Sequence, residues 1–237
     1  YSFFTLYANI DGFSYKEATI PVSERAELDQ WIISELNRLI AEVDEAYNDY
    51  EPTKASRAIA EFIQEILSNW YVRLSRRRFW KGEYVQDKVA AYQTLFDCLL
   101  TVTKLMAPIA PFYTDRLYQD LVGNTNVESF ASVHLSNFPV SLSETIDSAL
   151  EARINKARLI VSLGLSLRKK EQIKVRQPLQ KLMIPVKNKD PSPEVTGPWK
   201  DALFIPAVRS VARAPQSGDV YVHHEQKQWD NKQQANA

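Results

Sequence analysis

The chain has 237 residues, of which 45% are hydrophobic and 24% charged, and its basic and acidic side chains balance to a net charge of zero. This balance disfavours a protein whose whole surface binds nucleic acid, but it allows a local basic patch. A single cysteine, Cys98, excludes an internal disulfide and a cysteine-rich zinc site; we expect a core thiol in a reducing, cytoplasmic setting. No apolar run has the length of a membrane span.

The first 50 residues predict one long amphipathic helix after a short aromatic segment. Residues 1–7 are rich in aromatic side chains and can end a preceding helix, and the Asp11–Gly12 pair marks a turn. Ser23 is a suitable N-cap, with acidic residues in the positively polarised first turn. The apolar positions of the predicted helix keep helical spacing. They are Leu28, Trp31, Ile32, Leu36, Leu39, Ile40, Val43 and Tyr47.

The next helix, over residues 55–80, combines the longest apolar stripe with the densest basic patch. Its predicted buried positions are Ile59, Phe62, Ile63, Ile66, Leu67, Trp70, Tyr71 and Leu74. Since successive residues of a helix are 100° apart, Arg77 and Arg78 lie beside this stripe. They can therefore form buried bonds within the protein. The same geometry leaves Arg73 and Arg76 free to contact a ligand.

Two further helices are predicted, with prolines at their boundaries. The third helix begins near Asp87 and ends at Pro108, because proline cannot donate the backbone bond and clashes with the preceding turn. Pro111 starts a shorter helix, which Gly123 closes. The third helix has one apolar side: Tyr92, Leu95, Phe96, Leu99, Val102, Thr103 and Met106. Helices with short connections predict a mainly α fold, a helix bundle.

The rest of the chain predicts a fifth helix, a small β-containing segment and a loosely ordered tail. Residues 132–139 are expected to run extended across the bundle. The fifth helix is predicted to begin at Ser143 and to end at the cations Arg168–Lys170, which suit the negative helix end. Alternating apolar and basic residues predict short strands around Ile173, Val175, Leu179 and Leu182.

The C-terminal residues 187–237 contain five scattered prolines, and the end of the chain has no apolar periodicity. We therefore expect a poorly ordered tail. Two weak apolar stretches, 203–211 and 220–222, can each add a strand.

The sequence offers no recognisable catalytic centre. Six glycines spread along the chain do not form a phosphate-binding loop, and no serine stands in a nucleophile elbow. The histidines, His134, His223 and His224, lack carboxylate neighbours at the spacing of a metal site on a helix. An independent enzyme is disfavoured, and a binding function is favoured.

Two basic clusters are candidates for RNA binding. The first lies between Arg73 and Lys81, and the second comprises Arg168, Lys169, Lys170, Lys174 and Arg176, offset only by Glu171. Guanidinium groups bind phosphates, while aromatic rings such as Phe79 and Trp80 can stack on unpaired bases. The alternative for each cluster is a solvated or ion-paired surface.

Several motifs, taken together and in order, resemble the anticodon-binding domains of class I aminoacyl-tRNA synthetases. They are Trp31–Leu36, Ala55–Ile59, Asn69–Arg73, Arg76–Trp80, Leu105–Phe112 and Val175–Leu179. Within that family they are most similar to the isoleucyl-tRNA synthetases of the eukaryote-like type, and the valyl enzymes are the nearest alternative. The resemblance covers residues 1–186, and the tail departs from it.

The resemblance implies that the chain holds the anticodon stem and loop of isoleucine tRNA. In that family a separate domain ligates isoleucine to tRNA with ATP and Mg²⁺. Neither ATP-site motif of the family, the His-Ile-Gly-His type or the Lys-Met-Ser-Lys-Ser type, occurs in the sequence. We therefore expect this chain alone to be inactive and to need no cofactor.

By the same analogy, the candidate tRNA-binding residues are Arg73, Arg76, Arg77, Trp80, Lys81, Arg168, Lys169, Lys170, Lys174 and Arg176. Four other residues match family motifs and are expected to pack: Trp70, Tyr71, Pro108 and Phe112.

The resemblance also implies a division of the chain. Residues 1–22 are expected to be the end of a linker from a missing catalytic domain, 23–140 the anticodon-binding bundle, 141–186 the fifth helix and strands of a C-terminal subdomain, and 187–237 an atypical tail. We expect a monomer that binds tRNA but neither DNA nor membrane. The alternative from another class is a non-catalytic helical interaction scaffold, which predicts an exposed apolar groove and no affinity for tRNA.

Overall fold

The computed structural model describes residues 1–15, 18–80, 83, 85–123, 125, 127–128, 130–177, 179–185, 208–214 and 221–223. Most of the predicted poorly ordered tail therefore lies outside the described residues. The chain divides into two compact units, Tyr1–Glu151 and Ala152–Ala237.

The first unit is a helix bundle, which confirms the predicted mainly α fold. Its helices are α1 (Ser2–Asp11), α2 (Glu27–Asn48), α3 (Pro52–Glu61), a π-helical segment (Phe62–Val72), α4 (Arg73–Trp80), α5 (Gln86–Met106) and α6 (Pro111–Val122). Short 3₁₀ turns occur at Val22–Glu24, Val133–Leu135 and Ser143–Thr145. Helix α7 (Ser148–Lys170) continues from this unit into the second.

Helix α5 is the central element of the first unit, because α1, α2, α3, α4 and α6 all pack against it. Its buried residues form no single stripe and include polar Gln93 and Thr94. Gln93 accepts a hydrogen bond from the backbone N–H of Ile20 at 2.9 Å, and Thr94 accepts one from Arg25 at 2.9 Å. These bonds hold the segment that leads into α2, which explains why polar residues occur on the most buried helix.

The N-terminal residues pack on α5 through an aromatic cluster. Phe13 stacks on Tyr92 with ring centroids 4.9 Å apart, and Phe4 meets Phe96 at 6.1 Å. Gly12 takes a left-handed conformation at the end of α1, with φ of 70°, which allows the chain to reverse there. Residues 1–15 are thus part of the packed unit.

A buried ion pair also fixes α1 to α5. Lys88 Nζ lies 2.6 Å from Asp11 Oδ2, and both side chains are largely excluded from solvent. Tyr92 donates a second hydrogen bond to the same carboxylate. Burial alone would raise the pKa of Asp11, but the bonds from Lys88 and Tyr92 outweigh it and lower the pKa below the usual value.

The helix starts predicted from prolines are confirmed. The two starts predicted from serine caps are wrong. Pro52 and Pro111 occupy the first turns of α3 and α6. The Ser23 N-cap was wrong, because α2 begins at Glu27 after a 3₁₀ turn. The fifth helix begins at Ser148 instead of Ser143. Asp147 caps it, accepting hydrogen bonds from the N–H groups of Ala149 and Leu150 at 3.0 and 2.9 Å.

The second unit contains the rest of α7 and a three-stranded sheet. The strands are β1 (Leu179–Pro185), β2 (Val208–Ala214) and β3 (Tyr221–His223), in the order β2-β1-β3. β1 pairs in parallel with β2 and antiparallel with β3, with Leu179 opposite Val208 and Met183 opposite Tyr221. The predicted strand at Leu179 and Leu182 is confirmed, and the two weak apolar stretches of the tail overlap β2 and β3. Ile173 and Val175 are not in strands, because the chain turns there.

Cys98 is fully buried on α5, as expected for a core thiol, and burial raises its pKa well above the usual value. Among the described residues, no helix has both the length and the apolar character needed to cross a membrane.

The substitution Asp11→Asn tests the ion pair on α5. At pH 7 it should lower the free energy of unfolding by about 1.5 to 3 kcal/mol, because Lys88 loses a charge-assisted hydrogen bond. Because the folded-state pKa of Asp11 is lowered, its contribution is present above the unfolded pKa of about 3.9. The contribution is lost as the pH falls through the folded value. Urea denaturation between pH 2 and 7 should therefore show the unfolding free energies of the parent and Asp11→Asn converging at low pH.

Asp44→Asn, on the exposed side of α2, is the control. If the free energies of the parent and Asp11→Asn differed by the same amount at every pH, the assignment would be contradicted.

Candidate nucleic-acid interface

Helices α3 and α4 join through the π segment into one continuous helix, and this segment sets which side chains are buried. A π turn closes i→i+5 bonds and uses more residues per turn than an α turn. The buried residues along it are Phe62, Leu67, Tyr71, Ser75 and Phe79, at intervals of five and then four.

The stripe predicted at regular α spacing is therefore partly wrong. Ile66, Trp70 and Leu74 are only half-buried, because the wider turns rotate them away from the centre of the packed face. Tyr71 packs in the core as predicted, with no solvent exposure. The rotation places Ser75 and Phe79 inside, and Phe79 is only 1% exposed, so it is not a candidate for base stacking.

A buried carboxylate holds α4 in this orientation. Asp29, on α2, has no solvent exposure and accepts a hydrogen bond from the Tyr71 hydroxyl at 2.7 Å. Arg78 donates to both oxygens of Asp29, from Nη1 at 2.8 Å and Nη2 at 2.7 Å, and Arg78 Nε also reaches Asp87 at 2.9 Å. This bidentate geometry links α2, α4 and the start of α5. The predicted structural role of Arg78 is confirmed.

The pKa shifts agree with this network. Burial on its own would lower the pKa of Arg78, but its bonds to Asp29 reverse the effect and raise it. Burial and the adjacent Asp29 charge raise the pKa of Tyr71. Arg78 is therefore always charged, and its guanidinium is bound to the buried Asp29. Asp29 had no clear signal in the sequence, where it was one of several acidic residues near the predicted start of the helix.

The opposite face of α4 presents cations to solvent. Arg73, Arg76, Arg77 and Trp80 are all exposed, and their spacing of i, i+3, i+4 and i+7 places them on one side of the helix. Trp80 is 56% exposed. Within the described part of the chain, the side chains of Arg73 and Arg76 form no hydrogen bond or ion pair. Arg77 is exposed, although its angular position in the sequence predicted that it flanks the buried stripe.

Three other predicted residues have different outcomes. Lys81 lies outside the described residues. Phe112 was expected to pack but is 91% exposed at the start of α6, and Pro108 is exposed as well, because both lie at the corner where the chain turns between helices.

The second basic cluster lies in the second unit, around the C-terminal end of α7. Lys169, Lys170, Lys174 and Arg176 are exposed, and the turn that follows the helix carries the last two. Arg168 differs, since it is 1% exposed and donates to backbone carbonyl groups. Its prediction as a direct RNA contact is therefore corrected to an internal position, because its guanidinium does not reach the surface.

The described residues contain no group of three or more His, Cys, Asp or Glu side chains that could hold a metal ion. Within the described residues, α4 offers guanidinium donors and an exposed indole ring, and the second cluster offers ammonium and guanidinium donors. Such surfaces bind phosphate groups and stack on unpaired bases.

The family of the chain follows from its sequence. A family model described as the anticodon-binding domain of tRNA ligase matches residues 29–183, which is well over half of the chain. The chain belongs to this family. The matched region includes α4 and all of the second basic cluster.

Three relatives of this anticodon-binding domain are isoleucine–tRNA ligases. The identity is 60% over 190 residues with Bacteroides thetaiotaomicron, 57% over 185 residues with Porphyromonas gingivalis and 55% over 186 residues with Cytophaga hutchinsonii. These alignments cover 80%, 78% and 78% of this chain, but 16%, 16% and 17% of the relatives. The chain thus spans about a sixth of the length of the curated relatives it matches.

The substitution Asp29→Ala tests whether the carboxylate holds α4. We expect it to lower the free energy of unfolding by about 3 to 5 kcal/mol, because Arg78 and the Tyr71 hydroxyl lose their buried partner. Urea denaturation followed by circular dichroism measures the change. Asp44→Ala, at an exposed carboxylate of the same helix, should change the free energy by no more than about 0.5 kcal/mol. Equal effects of the two substitutions would contradict the structural role of Asp29.

Proposed function

We propose that this chain is the anticodon-binding portion of an isoleucine–tRNA ligase and that it binds the anticodon stem-loop of isoleucine tRNA. The observation that carries the proposal is the exposed face of α4, on which three arginines and a tryptophan share one side of a helix in a member of this family. Arginine forks suit phosphate oxygens, and an exposed indole suits an unpaired base.

The amino acid is proposed from the relatives. Isoleucine–tRNA ligases from three bacteria share 55 to 60% identity with this chain, which supports isoleucine over valine as the amino acid of the whole enzyme. The chain itself carries the recognition of tRNA, and the ligation of isoleucine belongs to parts of the enzyme that this chain does not include.

Arg73, Arg76 and Arg77 are proposed to contact the phosphate backbone, with Trp80 stacking on a base of the loop. The exposed cations of the second cluster are proposed to add further phosphate contacts. Phosphate contacts fix the orientation of an RNA and carry no sequence information, so preference for one tRNA must come from contacts to bases. Among the described residues of α4, Trp80 is suited to stacking on a base, a contact that accepts any base, so the preference also requires contacts to base edges.

The remaining parts of the proposal concern the whole enzyme and its setting. ATP and Mg²⁺ would be bound outside this chain, where the adenylate is formed. The protein is proposed to act as a monomer in the cytoplasm, where its tRNA partner is found.

Binding to tRNA at increasing salt tests the proposal. The chain should prefer isoleucine tRNA to an unrelated tRNA, and log K should fall linearly with log salt concentration. The double substitution Arg73→Ala and Arg76→Ala should make that slope shallower by roughly 1.4 to 1.8, at about 0.7 to 0.9 per phosphate contact. Fluorescence anisotropy with a labelled tRNA, measured between 50 and 200 mM KCl, gives both quantities.

Arg57→Ala is the matched control, since Arg57 is also an exposed arginine but lies on α3, sixteen residues before Arg73. It should leave the slope close to that of the parent chain. Equal weak binding to both tRNAs, unchanged by the double substitution, would contradict the proposal and support a helical scaffold without an RNA ligand.

A further inference from the structure

Arg168 is the exception among the cations at the end of α7. Lys169 and Lys170 are exposed, whereas Arg168 is almost completely buried although it carries the same charge. Arginine cannot lose its proton under ordinary conditions, so the fold has to accommodate a charged group inside.

The guanidinium of Arg168 binds the turn that follows the helix. Its Nη1 atom lies 2.9 Å from the carbonyl oxygen of Lys174, 3.3 Å from that of Val175 and 3.0 Å from that of Gln177. One nitrogen therefore draws together three carbonyl groups of a four-residue stretch. The side chains of Lys174 and Arg176, on the same stretch, are exposed.

The backbone of Arg168 holds the beginning of the same turn. The Ile173 N–H donates to the Arg168 carbonyl at 2.9 Å, and the Gln172 N–H donates to the Lys169 carbonyl at 3.3 Å. With Gln172 at a φ of 55°, these bonds form a Schellman motif, in which the residue after the helix takes the left-handed conformation. Both the carbonyl and the side chain of Arg168 thus shape the path from α7 to Gln177.

This arrangement is costly if stability is its only purpose. Among the described residues, Nε and Nη2 of Arg168 are buried with no hydrogen-bond partner, and no carboxylate pairs with the guanidinium. Burial lowers the pKa of Arg168, as expected for a cation removed from water. A buried charge that no described carboxylate neutralises lowers the stability of a fold, which favours a further role for the clamp on the turn.

We propose that Arg168 is a positioning residue for RNA binding, which clamps the turn at residues 171–177 so that Lys174 and Arg176 face one RNA backbone together. The inference rests on the proposed function and deepens it. A preformed turn loses less conformational entropy when its cations engage phosphates than a mobile loop does.

The test uses Arg168→Met, which keeps an unbranched apolar stem in place of the arginine stem and removes the hydrogen-bond donors. The probe is the labelled anticodon stem-loop of isoleucine tRNA, titrated over a range of KCl concentrations. The pair Lys174→Ala and Arg176→Ala should make the slope of log K against log salt shallower by roughly 1.4 to 1.8. Arg168→Met should give most of that change although both surface cations remain, and the triple variant should bind no more weakly than the pair. Lys169→Ala is the single-charge reference.

A role through charge alone gives a different pattern. Arg168→Met would then resemble Lys169→Ala, with a change of at most about 0.9 in slope, and its effect would add to that of the pair. That result overturns the inference while the proposed function stands. If the parent chain shows no salt-dependent binding, the proposed function fails and this inference fails with it.

Two further measurements keep the test decisive. Amide hydrogen exchange at Ile173 and Gln177, both hydrogen-bonded in the structure, should become at least about tenfold faster in Arg168→Met. Unchanged exchange overturns the inference. If circular dichroism shows that Arg168→Met is unfolded, Ile173→Pro opens the same turn by removing the Ile173 N–H, and it should weaken binding to the same extent. Parent-like binding by Ile173→Pro overturns the inference as well.

Discussion

The buried carboxylate of Asp29 is the constraint on which the orientation of α4 depends. A carboxylate without solvent exposure is tolerated only when donors compensate the loss of water, and Tyr71 and Arg78 supply them. Both donors lie on the long helix that starts at Pro52, and the acceptor lies on α2. The bonds therefore fix how that helix is rotated about its axis. Since the exposed arginines lie on the far side of α4, their direction follows from the same bonds.

The π segment makes this rotation possible. With α geometry throughout, Ile66, Trp70 and Leu74 would continue the buried stripe. The wider turns instead bring Tyr71, Ser75 and Phe79 inside. Tyr71 reaches Asp29 only from this rotation. π turns have a less favourable backbone geometry than α turns, and they persist where tertiary contacts stabilise them. In this bundle, the requirement is the buried hydrogen bonds and the packing of Phe79 against Tyr92, with ring centroids 5.0 Å apart.

Arginine serves two purposes in this protein, and sequence spacing alone does not separate them. Arg78 and Arg168 are turned inward, the first to a carboxylate and the second to backbone carbonyls. Arg73, Arg76 and Arg176 face solvent. A guanidinium fork suits both settings, because the geometry that binds a phosphate also binds a carboxylate or a group of carbonyls. In each basic cluster, one inner cation thus supports the structure, while the cations of Arg73, Arg76 and Arg176 face solvent.

The sequence by itself determined the helices of the bundle other than α1, the proline breaks at α3 and α6, the family and the location of both basic clusters. These features depend on local periodicity, on the chemistry of single residues and on motif order, all of which a linear pattern carries. Only the tertiary structure decided which face of α4 is exposed, that Phe79 is buried, and that Arg168 is internal. The π segment, the Asp29 network and the carbonyl clamp that decide these points depend on partners a turn or more away. Helical spacing does not encode such partners, because the energy of burying a charge is set by the groups that surround it in space.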